Sequence, residues 1–181
     1  MGKASGGTRN YSKNAKVIAV RQSEYKGLIN MGDYDSSRSL FDKSGGFVIT
    51  HKGHNAITKP EDNKEDVAAK ILAQHGYKIY LMSEKSYITG IKKYDGFTDH
   101  SMMDIKTINA IGPNTIKRAL ENAAKQAVEV VVLYQNTKDA TRSYIESQLQ
   151  DFRTKSPVKA RQQIKTVIVV GSSGRVHRHK I

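Results

Sequence analysis

Apolar residues recur along this chain at helical spacing and at strand spacing, in alternation. Between residues 16 and 40, Tyr25, Leu28 and Ile29 fall on one helical face that breaks near Gly32. After the turn Ser44-Gly45-Gly46 comes a short β-run, Phe47-Val48-Ile49-Thr50, which leads into the polar segment His51-Lys52-Gly53-His54-Asn55. Thr58-Lys59-Pro60-Glu61 fits a capping box with proline early in the helix, followed by a stripe of Val67, Ala68, Ile71 and Leu72 and a stop at Gly76. A strand is expected over residues 77–82, and a second β-rich stretch over 87–108 with breaks at Gly90 and around Gly96. Gly112-Pro113-Asn114 opens a helix with Ile116, Leu120, Ala123 and Ala127 in phase, and it runs directly into a β-branched strand over 128–134. A further helix over 138–153 carries Tyr144, Ile145, Leu149 and Phe152 on one face; a strand over 164–170 then turns at Ser172-Ser173-Gly174 into a short basic strand. This order predicts an α/β (α+β) fold, a mixed central sheet flanked by helices. Residues 1–15 read as a flexible basic arm, 16–55 as a helical and strand extension, and 56–181 as the main α/β domain.

Charge changes the picture. Lys and Arg outnumber Asp and Glu by 30 to 17, a net +13 on 181 residues. Residues 1–23 carry five cations and residues 152–181 carry eight, with no acid in either stretch, so all carboxylates lie between Glu24 and Asp151. Two basic ends around an acid-bearing centre favour a polyanionic ligand. The candidate phosphate contacts of the carboxy-terminal part are Arg161, Lys165, Arg175, His177, Arg178 and His179. No apolar run reaches the roughly 18 residues needed to cross a bilayer, and the first residues lack a signal core, which predicts a cytoplasmic site of action and no membrane partner. The absence of Cys excludes disulfide scaffolds, thiolate metal sites and cysteine nucleophiles.

The acids of the centre supply candidate chemistry. Asp95 is followed nine residues later by Asp104-Ile105-Lys106. On a strand, residues 104 and 106 share a face. A hairpin returning from Gly96 to Met103 sets Asp95 opposite Asp104. Two carboxylates and few other protein ligands suit Mg²⁺, which keeps waters and accepts phosphate oxygens. Lys106 is placed to orient water or offset charge on a phosphate. Glu65 borders the buried stripe of its helix and is placed to join them, while Glu61 has a competing role in the capping box.

With this element order, Tyr94-Asp95 and Asp104-Ile105-Lys106 resemble the PD-(D/E)xK nuclease superfamily. Residues 64–134 are similar to the C-terminal tRNA-cleaving toxin domains of contact-dependent growth inhibition proteins and to related phage and mobile-element domains. The similarity includes the helix end from Ala68 to Tyr77 and the segment Lys125-Gln126-Ala127 followed by Val131-Val132-Leu133. Tyr94 stands where the family has proline, and Asp104 where glutamate is commoner. The resemblance implies a restriction-endonuclease-like αβββαβ core and a metal-assisted phosphodiesterase. Its catalytic residues would be Glu65, Asp95, Asp104 and Lys106, with Glu65, Asp95 and Asp104 as ligands of Mg²⁺ or another divalent cation. It also implies action on RNA ahead of DNA, delivery to a target cell's cytoplasm, and an acidic immunity protein as partner.

A second mechanism stays open. Some relatives in this toxin group have the barnase, EndoU, colicin and RelE type of fold, which cleaves RNA without metal. His51 and His54, three residues apart in a Gly-containing segment, are its candidate acid and base, or else turn residues. A third reading is a catalytically inactive nucleic-acid-binding or phage structural protein.

Overall fold

The computed structural model describes residues 15–54, 63–83 and 94–181. Eight strands form one mixed sheet whose spatial order follows the chain, β1 (Leu40–Phe41), β2 (Phe47–Thr50), β3 (Lys78–Leu81), β4 (Gly96–Thr98), β5 (Ser101–Ile108), β6 (Val130–Gln135), β7 (Thr166–Gly171) and β8 (Val176–Lys180). The pairs β2/β3, β5/β6 and β6/β7 are parallel, and the others are antiparallel. Each parallel pair needs a crossover. These are supplied by α2 (Lys64–Gln74), α3 (Thr115–Lys125), and α4 (Arg142–Lys155) with α5 (Val158–Gln163), while α1 (Ala15–Asn30) precedes the sheet. The run α2-β3-β4-β5-α3-β6 is the αβββαβ order expected from the sequence. Strands β1 and β2, from the segment assigned to the extension, join the same sheet.

Alternation along the strands divides the core in two. Val48, Ile79, Leu81, Met103, Ile105, Val132 and Ile168 face α2, where Ala68, Ala69, Leu72 and Ala73 bury them. Ile108, Val131, Leu133, Val167 and Val169 face the other way, against Ile116 and Leu120 of α3 and Ile145, Leu149 and Phe152 of α4. Full burial of a side chain such as Leu72 or Phe152 contributes about 1.5–3 kcal/mol each, so these two layers hold the sheet in place.

Several element ends differ from expectation. The capping box at residues 58–61 and the break at Gly90 lie outside the described residues. Helix α2 is capped by Asn63, whose side chain accepts from the Glu65 and Asp66 amides at 3.0 and 3.4 Å. Gly96 opens β4 and is required there, because a Cβ would meet the Tyr80 carbonyl oxygen at 1.8 Å. The hairpin returns from Gly96 to Met103 as expected, turning at Asp99-His100, both at positive φ (46° and 74°), the two-residue geometry that matches strand twist. The helix expected from residue 138 begins at Arg142 with Thr141 as its cap, since the Thr141 hydroxyl takes the Tyr144 amide. Helix α5, too short for an apolar period, had no counterpart in the sequence pattern.

Candidate active site

Strand β4 is only three residues long, so the chain just before it runs beside β5 without a full ladder. Asp95 occupies that position. Its backbone carbonyl accepts from the Met82 amide at 2.9 Å, and its Oδ2 accepts from the Ile105 amide at 2.5 Å. Since Gly96 pairs with Met103, Asp95 lies opposite Asp104, and their carboxyl groups are hydrogen-bonded. Asp104 is buried, and Lys106 Nζ sits 2.8 and 2.7 Å from its two oxygens, as the shared face of a strand predicts. Lys106 remains 31% exposed, so the pair has one buried end and one end that substrate can reach.

Helix α2 brings the third acid. Glu65 lies in its first turn, and its Oε2 is 3.1 Å from Nε2 of His54. The other ring nitrogen of His54 is 2.8 Å from the Met82 carbonyl oxygen. The Met82 carbonyl takes the Nδ1 proton, and the Glu65 carboxylate at Nε2 favours the charged form of the ring. Burial works against that charge, but the hydrogen bonds to Glu65 and Met82 and the charges of Glu65 and Asp95 outweigh it, raising His54 above the usual histidine range. The Asp95 carboxyl is pushed up to about 8, first by burial, then by the charges of Asp104 and Glu65; the Ile105 amide works in the other direction. At neutral pH Asp95 therefore holds a proton that an exposed aspartate would have lost.

The structure thus gathers Glu65, Asp95, Asp104, Lys106 and His54. His51 does a different job. Its Nδ1 accepts from the Gly53 amide at 2.9 Å, and its ring lies edge-on to Tyr34 at 5.9 Å, which shapes the turn after β2. The carboxy-terminal cations do not join the cluster, because β8 lies three strands from β5. Arg175, His177 and Arg178 are exposed. Arg178 reaches the Thr166 hydroxyl at 3.4 Å, Arg161 donates to the Arg153 carbonyl at 3.0 Å, and Lys165 donates to the Gln162 carbonyl. Burial, then the neighbouring Arg153, lowers His179 below the usual histidine range, which weakens it as a phosphate contact.

Sequence reasoning missed Arg38. Its guanidinium binds the Asp66 carboxylate through two bonds, 2.7 and 2.9 Å, and donates to the His54 carbonyl at 2.5 Å. All three groups are buried, so one side chain ties α2, beside Glu65, to the segment that carries His54. An isolated arginine in a polar stretch gave no signal of this.

The donor set can be tested against a divalent cation. Among the described residues no three His, Asp or Glu side chains form a ready cage for a metal ion. Asp95 and Asp104 supply the two carboxylates that Mg²⁺ takes when water and phosphate complete its shell. Burial first, and then the charges of Asp104 and Glu65, raise Asp95, and a cation at the pair would oppose both effects. The pair fits, and Glu65 is near enough to act on Asp95 through its charge.

The fold and the geometry define a mixed α+β domain with a buried acid cluster and one accessible lysine at the open end of a hairpin. Residues 98–176 match the family of the contact-dependent growth inhibition CdiA C-terminal domain. That span includes Asp104 and Lys106 but begins after His54, Glu65 and Asp95. A solved chain of the CdiA-CT/CdiI toxin and immunity complex from Burkholderia pseudomallei is similar at 17% identity and a TM-score of 0.48, over 65% of this chain and 83% of that one. No curated protein matches the chain. Among the described residues no helix is long and apolar enough to cross a membrane.

Proposed function

We propose that this chain is a toxin domain of a contact-dependent growth inhibition system and that it hydrolyses phosphodiester bonds of nucleic acid, RNA ahead of DNA, with a divalent cation. The observation that carries the reading is the convergence of Asp95, Asp104 and Lys106, in which a half-buried aspartate lies opposite a buried one that is paired with a partly exposed ammonium. The match over residues 98–176 supports the toxin setting. Asp95 and Asp104 would hold the cation, which supplies Lewis-acid polarisation of a phosphate oxygen and a more acidic bound water. Lys106, pinned by Asp104, offers its ammonium to charge developing on the phosphate. Glu65 and the His54 imidazolium balance charge behind Asp95. The toxin would act in the cytoplasm of a target cell, and an acidic immunity protein would complement the +13 chain.

The metal-free mechanism draws support from the His54–Glu65 pair. However, the His54 side chain has no exposed surface, and both of its ring nitrogens already have acceptors. A group that takes a 2′-hydroxyl proton has to reach it. His54 is therefore read as a buried counter-charge, and the metal-assisted route is preferred.

Purified protein incubated with tRNA, mixed RNA and plasmid, in Mg²⁺ or in EDTA, tests the reading. Cutting of at least one substrate that needs Mg²⁺ is expected. EDTA-resistant cutting would overturn the metal route, and no cutting of any substrate would favour a binding protein on the same fold.

A further inference from the structure

The face of the sheet that carries Asp104 and Lys106 continues as a strip of partly exposed aromatic and sulfur side chains. Tyr80, Phe97 and Met102 are direct partners across β3, β4 and β5, so they form one row on one face. Asp104 follows Met102 at the next same-face position on β5, about 7 Å along the strand. Tyr94 extends the row beside Phe97, with ring centroids 5.2 Å apart in an edge-to-face arrangement. Tyr80, Tyr94, Phe97 and Met102 are all partly exposed, whereas Ile79, Leu81, Thr98, Met103 and Ile105 of the same strands are buried on the α2 side.

The strip lies between two covered regions of this face. On one side, Tyr25 of α1 stacks at a tilt on Phe47 of β2, and Glu24 takes bonds from Lys78 and Tyr80. On the other, α3 and α4 cover β6 and β7, and Tyr94 and Met102 pack against the edge of that core while staying partly exposed. Lys78 Nζ, 5.7 Å from the Tyr80 ring centroid, pairs with Glu24 at 2.8 Å and closes the α1 border of the strip. Among the described residues no helix fully covers these rings, and aromatic side chains that are partly exposed on a sheet face and run into a candidate phosphodiester-cleaving group are the physical requirements for stacking unpaired bases.

We propose that Tyr80, Tyr94, Phe97 and Met102 form a stacking platform for unpaired bases next to the bond to be cut, so that the preferred substrate is a single-stranded or looped segment. This rests on the nuclease reading for its occupant. Continuity with Asp104 and Lys106 on one face and the net +13 charge favour nucleic acid over a protein surface. Phe97 is the centre of the platform, because it touches the row on both sides and Tyr94 at its edge. A phosphate beside the stacked bases would meet Lys106, whose side chain is 31% exposed.

Binding measured in EDTA separates this proposal from the question of cleavage. The probes are a labelled unstructured RNA oligonucleotide, the same oligonucleotide with abasic sites at its centre, and a duplex of the same sequence, all at one salt concentration. The wild type is expected to prefer the unstructured oligonucleotide over both others. Phe97→Ala and Phe97→Leu should weaken that binding by about 5- to 150-fold, the range for loss of one stacked base, and leave duplex binding unchanged. Phe97→Trp should keep it. Thermal melting of each variant confirms folding, and Phe97→Leu, which keeps apolar volume, separates stacking from filling. Equal binding of the abasic probe, equal binding by Phe97→Leu, or a preference for duplex would overturn the proposal. Equal binding by Phe97→Leu or of the abasic probe would leave the strip to an apolar protein surface. Preserved platform binding with no cutting of any substrate would instead remove the nuclease reading alone.

Discussion

The open end of the β4–β5 hairpin and the β8 edge belong to one sheet, yet they hold their charges in opposite ways. At the hairpin, Asp95, Asp104 and His54 are largely removed from water, and each has another ionisable group as a neighbour. At the edge, Arg175, His177 and Arg178 are exposed. Burying an ion costs several kcal/mol unless its surroundings repay it. A fold that keeps two carboxyl groups and a histidine in such a place carries that cost for a reason beyond stability, while exposed cations cost almost nothing. The hairpin end is therefore where single residues should matter, and the β8 edge is where they should be exchangeable.

The largest effect should follow from substitutions at the hairpin. Asp104→Asn or Lys106→Met should lower cleavage by on the order of 10³-fold in a single-turnover assay with a folded protein. Arg175→Ala or Arg178→Ala should change it only a few-fold. A loss at β8 as large as that at β5 would remove the contrast.

Stability sharpens the comparison next. Arg38→Met leaves Asp66 buried without its partner and should cost about 3–5 kcal/mol in denaturant unfolding. The double change Arg38→Met with Asp66→Leu should recover most of that cost, since no unpaired charge remains. Single β8 substitutions should stay within about 0.5 kcal/mol.

Proton linkage gives a third test. Asp95 shifts from 3.8 to about 8, so between those values the folded state keeps a proton that the unfolded chain has released. Stability from this group is therefore present at low pH and is lost as pH rises through that window. His54, also raised, acts with the same sign, because its contribution disappears as pH rises through its folded pKa. Unfolding in EDTA should show stability falling toward pH 8, and Asp95→Asn, which mimics the protonated acid, should flatten part of that slope. At pH 8 excess Mg²⁺ should raise the melting temperature of the wild type and leave Asp104→Asn unchanged.

The smallest effect belongs to the edge. If Arg175 or Arg178 contacts a phosphate, its removal should reduce the slope of log affinity against log salt by about one. An unchanged slope would show that the edge is not part of the grip.

Local pattern carried much of this architecture. The run Phe47-Val48-Ile49-Thr50 is β2 itself, and Ile116, Leu120 and Ala123 are the buried stripe of α3. Asp104 and Lys106 were legible as partners because a strand has a period of two. Asp95 opposite Asp104 followed from a hairpin that returns from Gly96 to Met103. What stayed hidden depends on contacts between distant segments. Arg38 meets Asp66 across 28 residues and the His54 carbonyl across 16, and no local spacing encodes either contact. The Tyr80–Phe97–Met102 row likewise exists only once three strands are in register. Basic residues at the carboxy end were easy to see, but their distance from the acids is set by the strand order.

Asp104 is the residue on which metal-assisted cleavage would depend most. Wild type, Asp104→Asn and His54→Gln should be compared in one single-turnover cleavage assay of a labelled RNA, in Mg²⁺ and in EDTA, after melting curves confirm that all are folded. The expected result is Mg²⁺-dependent cutting by the wild type, retained in measurable amount by His54→Gln and abolished in Asp104→Asn. Cutting that persists in EDTA and in Asp104→Asn but disappears in His54→Gln would contradict it.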